Sequence, residues 1–162
     1  LGVRTFFNML GPMVNPAFPK GQLVGVFSLE LQRYYKYLYE ESDIQYRIVH
    51  SLDGYDEISL TGDVKVISPE KEELLSPHHL FEKQLDASAI SGGNTVESSA
   101  KIFIDILEGK GTLAQNSVVV VNSSMAIHSA FPNKTREECR EMAIESLQTG
   151  KAYKAFKTLL SL

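Results

Sequence analysis

The densest group of residues that could do chemistry lies at positions 53–57, where the sequence reads DGYDE. Three carboxylates fall within five residues, and the glycine between them loosens the backbone. Magnesium usually takes one or two carboxylates and leaves its other positions to water and substrate phosphate. Asp56 and Glu57 can share a cation only if the backbone turns there, because strand geometry sends neighbours to opposite faces. A solvated acidic turn explains the same residues, and the spacing alone leaves both interpretations open.

A second candidate is the segment GPMVNP at residues 11–16. A rigid loop with exposed backbone can form one wall of a pocket for a flat ligand, although such loops also have purely structural roles. Gly92, Gly93 and Asn94 precede a predicted helix, where backbone N–H groups could meet an anion. They lack the phosphate-loop spacing with Lys and Ser/Thr, and we expect Asn94 simply to cap the helix.

The histidines and the single cysteine predict neither covalent catalysis nor a zinc site. His78 and His79 are adjacent and point apart, and no second pair of ligands has zinc-binding spacing. We expect His50 and His128 at core edges or on helix faces, and Cys139 as a small buried hydrophobe on a helix.

The elements that must position the acidic group are predicted to form one β-α-β unit. Residues 23–27 predict a buried strand, Ser28 caps a helix with apolar residues at 31, 34, 35 and 38, and residues 46–50 predict a second, parallel strand. The acidic group follows that strand directly, at the sheet edge where open α/β folds bind ligands. Residues 57–60 and 64–67 alternate around a turn and predict a β-hairpin.

The rest of the chain is predicted to be mostly helical. Apolar spacing predicts helices over residues 96–107, from Thr135 to about Gln148, and over residues 152–160. Residues 118–121 are consecutive valines, whose β-branched side chains favour a strand, although the residues that follow would also suit a buried helix.

Length and composition exclude several classes of protein. The 162 residues, 43% of them hydrophobic, suit one globular domain of ordinary size. The net charge of −4 argues against nucleic acid and anionic membranes as partners, and no apolar run reaches the ~18 residues of a membrane span. One cysteine fits a reducing compartment, so we expect a cytoplasmic protein. Leu1, in place of a start methionine, suggests a chain that begins inside a longer protein.

Two stretches together resemble the anthranilate phosphoribosyltransferase family. Residues 1–16, LGVRTFFNMLGPMVNP, resemble its signature LG-(I/V)-RT-x-FN-x-LGP-x-x-NP. Residues 49–57, VHSLDGYDE, resemble its V-x-G-x-DG-x-DE segment, with Ser51 in place of the usual glycine. Shorter matches at SGGN (91–94), ILEGKG (106–111) and GKA (150–152) extend the resemblance, in order, across essentially the whole chain.

The resemblance implies an enzyme of tryptophan biosynthesis that transfers the 5-phosphoribosyl group from 5-phosphoribosyl-1-pyrophosphate (PRPP) to anthranilate and requires Mg²⁺. It implies an α/β fold with a partly parallel sheet, of the nucleoside-phosphorylase-like type, and a homodimer for the full-length protein. At the matching positions, Asp56 and Glu57 would bind Mg²⁺, and Gly11 and Pro12 would form a wall of the anthranilate site. No residue of the chain inherits a catalytic role. The family also makes residues 118–130 helical, against propensity.

The resemblance makes residues 1–162 the C-terminal part of the larger α/β domain. The family's GTGGD, N-x-ST and KHGN segments have no counterpart here, nor has the arginine that grips the anthranilate carboxylate. These features, with a helical N-terminal domain, would lie upstream of Leu1, so we expect the 162 residues alone to be inactive. Arg4 is a different arginine, for which we expect a structural salt bridge or helix contact.

Two other functions are alternatives to this one. A pyrimidine nucleoside phosphorylase shares the fold but needs a Ser/Lys base-binding pattern where this chain has LGP at residues 10–12. A non-catalytic, nucleic-acid-binding relative would have a basic face and a degraded acidic pair. The negative net charge and the intact Asp56–Glu57 pair argue against that alternative.

Overall fold

The fold is a four-stranded sheet with helices on both faces, seen in a computed structural model that describes residues 11–162, with Pro12 by its backbone alone. Three short 3-10 turns, Gly11–Val14, Pro77–Leu80 and Ala87–Ile90, lie between or before these elements. None of the helices among the described residues has the length and apolarity of a membrane span. The strands are β1 (Gly21–Gly25), β2 (Gln45–Ser51), β3 (Val64–Ile67) and β4 (Glu72–Leu75); the helices are α1 (Leu29–Glu40), α2 (Val96–Leu107), α3 (Leu113–Ala130), α4 (Arg136–Gln148) and α5 (Lys151–Leu159).

The sheet has the order β1-β2-β3-β4. Strands β1 and β2 are parallel and are joined by α1, which confirms the predicted β-α-β unit. The predicted hairpin is wrong, because residues 57–60 form no strand and β3 pairs antiparallel with β2 on one side and with β4 on the other. Strand β4 was not predicted, because its sequence EELL does not alternate between apolar and polar residues as a half-buried strand does.

Strand β2 is buried on both faces, although only three of its seven residues, Tyr46, Ile48 and Val49, are apolar. Ile48 packs on the α1 side in one cluster with Tyr35. Val49 packs on the other side, in a cluster to which α3 contributes Val121 and Met125. The central strand is therefore held between two helices, and its carboxyl end has a fixed position.

Helix α3 includes the valine run, so the strand favoured by propensity is wrong and the helix implied by the resemblance is confirmed. Val121 packs towards the sheet, while Val120 packs against Ala143 of α4. Packing on both sides outweighs the small intrinsic cost of valine in a helix. The Ser124 hydroxyl donates to the Val121 carbonyl at 2.8 Å, so the helix accommodates this polar side chain.

Several predicted helix ends are confirmed and one is wrong. Ser28 caps α1 and Thr135 caps α4, each accepting a hydrogen bond from the backbone N–H three residues on. Gly150, at φ 73°, separates α4 from α5. Helix α2 is capped by Thr95 and not by Asn94, because the Thr95 hydroxyl accepts from the Ser98 N–H at 3.1 Å.

Candidate functional site

The acidic group lies in the connection between β2 and β3, which we call the acidic loop (residues 52–63). The backbone bends at Asp56 and Glu57, so the condition for the two carboxylates to share a ligand is met. The loop also crosses the carboxyl end of β1 at very close range. A Cβ atom built on Gly25 would lie 1.5 Å from the Asp56 carbonyl oxygen, so only glycine permits this approach.

Asn122 of α3 holds the loop at the residue that follows Glu57. Its Oδ1 accepts from the Ile58 N–H at 3.0 Å, and its Nδ2 donates to the Ile58 carbonyl at 2.9 Å. The same Nδ2 also donates to the Val118 carbonyl within α3 at 2.9 Å. Ile58 is buried, so without Asn122 both of its backbone groups would lose the partners that replace water.

Ser51, at the end of β2, holds the loop from the sheet side. Its hydroxyl donates to the Glu57 carbonyl at 2.6 Å and accepts from the Ser59 N–H at 3.3 Å. Ser51, which stands where the resembled family has glycine, therefore has a structural role. Sequence reasoning missed both supports, although a polar Asn122 directly after a run of valines was the available signal.

The three carboxylates at positions 53–57 have different surroundings. The Asp53 carboxylate accepts hydrogen bonds from the hydroxyls of Ser59 and Thr61, so it braces the loop internally. Asp56 and Glu57 are both exposed, and the carboxylate of neither makes a hydrogen bond or ion pair with a described residue. Of the three carboxylates at positions 53–57, only those of Asp56 and Glu57 are therefore available for a ligand.

The electrostatics of the pair suit a hard cation. Partial burial, together with the neighbouring Asp56 carboxylate, raises the pKa of Glu57 above its ordinary value. A cation between the two carboxylates would offset that repulsion. Among residues 11–162, no group of three or more His, Cys, Asp and Glu side chains is placed to hold a metal ion. The donor set therefore fits a Mg²⁺ ion that keeps water and substrate oxygens as its other ligands, not a closed protein site.

The second candidate segment is described only in part. Gly11 opens the 3-10 turn before β1, is exposed, and has no described atom within 4 Å of a Cβ built on it. The side chain of Pro12 and the whole of Arg4 lie outside the described residues. No hydrogen bond or ion pair within the described part joins this turn to the acidic loop.

The remaining candidates have ordinary structural roles. His50 is buried, with its Nδ1 atom 2.8 Å from the Val26 carbonyl oxygen. His79 accepts from the Ser76 N–H at 3.1 Å within the Pro77–Leu80 turn. Cys139 is fully buried on α4, as expected, and burial raises the pKa of its thiol.

The chain is similar to a known protein family and to several curated proteins. Residues 1–153 match the family described as "Glycosyl transferase family, a/b domain". The chain is 56% identical, over all of its length, to an anthranilate phosphoribosyltransferase of Christiangramia forsetii, and 51% identical to one of Flavobacterium johnsoniae. It covers 49% of each of them, so it spans about half the length of the curated relatives it matches.

Solved structures share the fold. The anthranilate phosphoribosyltransferase from Thermus thermophilus superposes with a TM-score of 0.80 at 28% identity, over 99% of this chain and 48% of that one. The enzyme of that name from Saccharomyces cerevisiae, in complex with PRPP and Mg, superposes with a TM-score of 0.84 at 23% identity, over 96% of this chain and 45% of that one. The expected α/β fold class is confirmed.

Proposed function

The chain belongs to the glycosyl transferase family with the a/b domain, and from this premise we propose that it is part of an enzyme transferring the 5-phosphoribosyl group from PRPP to anthranilate. Two relatives of that name, 56% and 51% identical over the whole chain, support the choice of reaction. The observation that carries the proposal is the exposed Asp56–Glu57 pair, which has no protein partner within the described residues and sits on a loop fixed from both the sheet and α3.

Asp56 and Glu57 would hold a Mg²⁺ ion whose remaining ligands are PRPP oxygens and water. When bound, that ion stabilises the negative charge that develops on the departing pyrophosphate. A structure of a protein with this fold, solved in complex with PRPP and Mg, is consistent with the assignment. Without PRPP the binding should be weak, because two carboxylates supply only part of an octahedral shell.

The supporting residues set the position of this charge. Asn122 and Ser51 fix the backbone on either side of Glu57, and the close approach at Gly25 fixes Asp56. A carboxylate pair held in this way keeps its geometry when the substrate arrives, which favours electrostatic stabilisation over rearrangement. Gly11 and Pro12 would form a wall of the anthranilate site, where the absence of a side chain at position 11 leaves room for the aromatic ring.

The proposal extends to the context of the chain. Residues 1–162 would be the C-terminal part of the larger α/β domain, which a helical N-terminal domain and a glycine-rich PRPP loop would complete. The full-length protein would be a cytoplasmic homodimer of the tryptophan pathway. The GTGGD and KHGN segments are absent from the 162 residues, so these residues alone would lack most of the donors to pyrophosphate and ribose phosphate.

The test replaces both carboxylates with their amides, Asp56→Asn with Glu57→Gln, in the protein complete with its N-terminal half. Shape is kept while charge is lost, so we expect kcat to fall about 10²-fold or more, with the thermal unfolding midpoint nearly unchanged. The matched control is Glu41→Gln with Asp43→Asn, which removes two exposed carboxylates after α1. A double variant with the wild-type rate and the wild-type Mg²⁺ dependence would reject the proposed role.

A further inference from the structure

A polar cavity, with a volume of about 380 Å³, lies near the amino ends of the parallel strands β1 and β2. The acidic loop lies at the opposite, carboxyl ends of these strands, so the cavity is separate from the candidate magnesium site. Its walls come from strands β2, β3 and β4, the turn between β3 and β4, the end of α3, the connection from α3 to α4 and the start of α4. The volume is near the lower end of the range of small-molecule pockets, roughly 300–1,000 Å³.

The central feature of this cavity is Arg47 of β2. The residue is only 7% exposed, and its guanidinium group makes no hydrogen bond or ion pair with any described residue. A guanidinium carries five N–H donors, and leaving a buried charge without acceptors is costly. The two nearby carboxylates are already engaged: Glu70 accepts from the Ser68 hydroxyl at 2.8 Å, and Glu73 pairs with Lys71 and Arg136.

The charges around the cavity do not balance. Four cationic side chains and two carboxylates line it, which leaves an excess of two positive charges. The Nδ1 atom of His128 is also buried there without a hydrogen-bond partner among the described residues. Burial and the nearby Arg47 lower the pKa of His128, so its ring is neutral at pH 7 and adds no charge. The cations are Arg47, Lys71, Lys134 and Arg136, and the carboxylates are Glu70 and Glu73.

We propose that this cavity binds the phosphate group of a small phosphate monoester, with Arg47 as the principal donor. A dianionic phosphate matches the excess of two positive charges, and its oxygens supply the acceptors that the Arg47 guanidinium lacks. The hydroxyls of Ser68 and Thr135, which also line the cavity, are further donors. The remaining volume accommodates the organic part of the ligand.

Binding is tested in the protein as its host produces it, by calorimetric titration with glycerol 3-phosphate and with inorganic phosphate at constant ionic strength and without Mg²⁺. We expect saturable binding with a millimolar or tighter Kd for both probes, weakened at least tenfold by Arg47→Met. The matched control, Arg33→Met, removes the same charge from an exposed position on α1 and should leave the Kd unchanged. Equal affinities in these two variants would overturn the proposal.

Two further measurements test the cavity without Arg47→Met, in case that variant does not fold. Lys134→Met changes a less buried wall residue and should weaken binding several-fold. In crystals soaked with tungstate, the anomalous signal should lie within hydrogen-bond distance of the Arg47 guanidinium. A signal found only elsewhere, or a carboxylate of the same protein seated against Arg47, would show that the cavity is not a phosphate site.

Discussion

Asp53, Asp56 and Glu57 are chemically similar, and their neighbours give them different tasks. The hydroxyls of Ser59 and Thr61 engage Asp53, while Asp56 and Glu57 face solvent without partners among the described residues. Partial burial and, after it, the neighbouring Asp56 carboxylate raise the pKa of Glu57. At the scale of residues, the site therefore depends on Ser51 and Asn122, which fix the backbone beside the carboxylates of Asp56 and Glu57.

Asn122→Ala tests this dependence. The substitution leaves the N–H and C=O groups of buried Ile58 without their partners, so we expect the free energy of unfolding to fall by about 1–3 kcal/mol. The released loop should also raise the Mg²⁺ concentration needed for half-maximal turnover. Urea unfolding and a Mg²⁺ titration measure the two effects. Unchanged stability and Mg²⁺ dependence would show that Asn122 does not support the site.

Gly11→Val tests the proposed wall of the acceptor site. No described atom lies within 4 Å of a Cβ built on Gly11, so a valine side chain would meet none of the described residues there. We expect the KM for anthranilate to rise several-fold while the KM for PRPP changes little. Steady-state kinetics with each substrate varied in turn distinguish the two. Failure to fold would instead make Gly11 a residue needed for backbone conformation.

At the scale of elements, local patterns were sufficient where local packing decides the structure. The β-α-β unit was predictable because a buried apolar strand, a capped helix and a second strand follow each other in sequence. The false hairpin has a tertiary cause: Asn122, 64 positions away, takes the backbone groups of Ile58, and Leu60 adopts a positive φ of 62°. The exposed carboxylate pair was predictable because Asp56 and Glu57 are adjacent in sequence. The support from Asn122 was not, because Asn122 is 64 positions from Ile58.

Gly25→Ala tests the contact between β1 and the acidic loop. The added methyl group would overlap the Asp56 carbonyl, so the loop must move away from the end of β1. We expect turnover to fall at least tenfold, with a loss of stability of about 1–3 kcal/mol. Gly92→Ala is the control, since a Cβ there meets no described atom within 4 Å. Wild-type turnover of Gly25→Ala would contradict the close approach of Asp56 to this strand.

Strand β4 is tied to its neighbours by Glu72, which pairs with Lys36 of α1 and with Lys65 of β3, each at 2.9 Å. These two lysines lower the pKa of the Glu72 carboxyl. A lowered folded-state pKa gives stability that is fully present above the ordinary value of 4.5 and is lost as pH falls through the lower folded value. Because the side chain is 41% exposed, solvent screening keeps this contribution below about 1 kcal/mol.

Glu72→Gln should therefore narrow the difference in stability between neutral and acidic pH. We expect the variant to be slightly less stable than the wild type at pH 7 and closer to it at acidic pH, because the stability that the Glu72 charge contributes is lost as the pH falls below 4.5 and through the lower folded pKa. Urea unfolding at the two pH values measures the effect. A difference of the same size at both pH values would show that packing of the side chain, and not its charge, is responsible.

At the scale of the whole molecule, the sheet has an open edge. Strand β1 pairs with β2 alone among the described residues, although Val24 at its centre is buried. The chain also spans about half the length of its curated relatives. An unpaired edge of a partly parallel sheet is a position where further strands add. We expect strands from the N-terminal half to pair there and to bring the PRPP loop towards the acidic loop.

The most direct test measures phosphoribosyl-anthranilate formation from PRPP, anthranilate and Mg²⁺ by the 162 residues alone and by the same residues joined to the N-terminal half of the Christiangramia forsetii relative. That relative is 56% identical over this chain, so its half offers a closely matched partner. We predict no turnover by the 162 residues alone, Mg²⁺-dependent turnover by the joined protein, and its loss in the joined protein that carries Asp56→Asn and Glu57→Gln. Turnover by the 162 residues alone, or full turnover without the two carboxylates, would contradict the account.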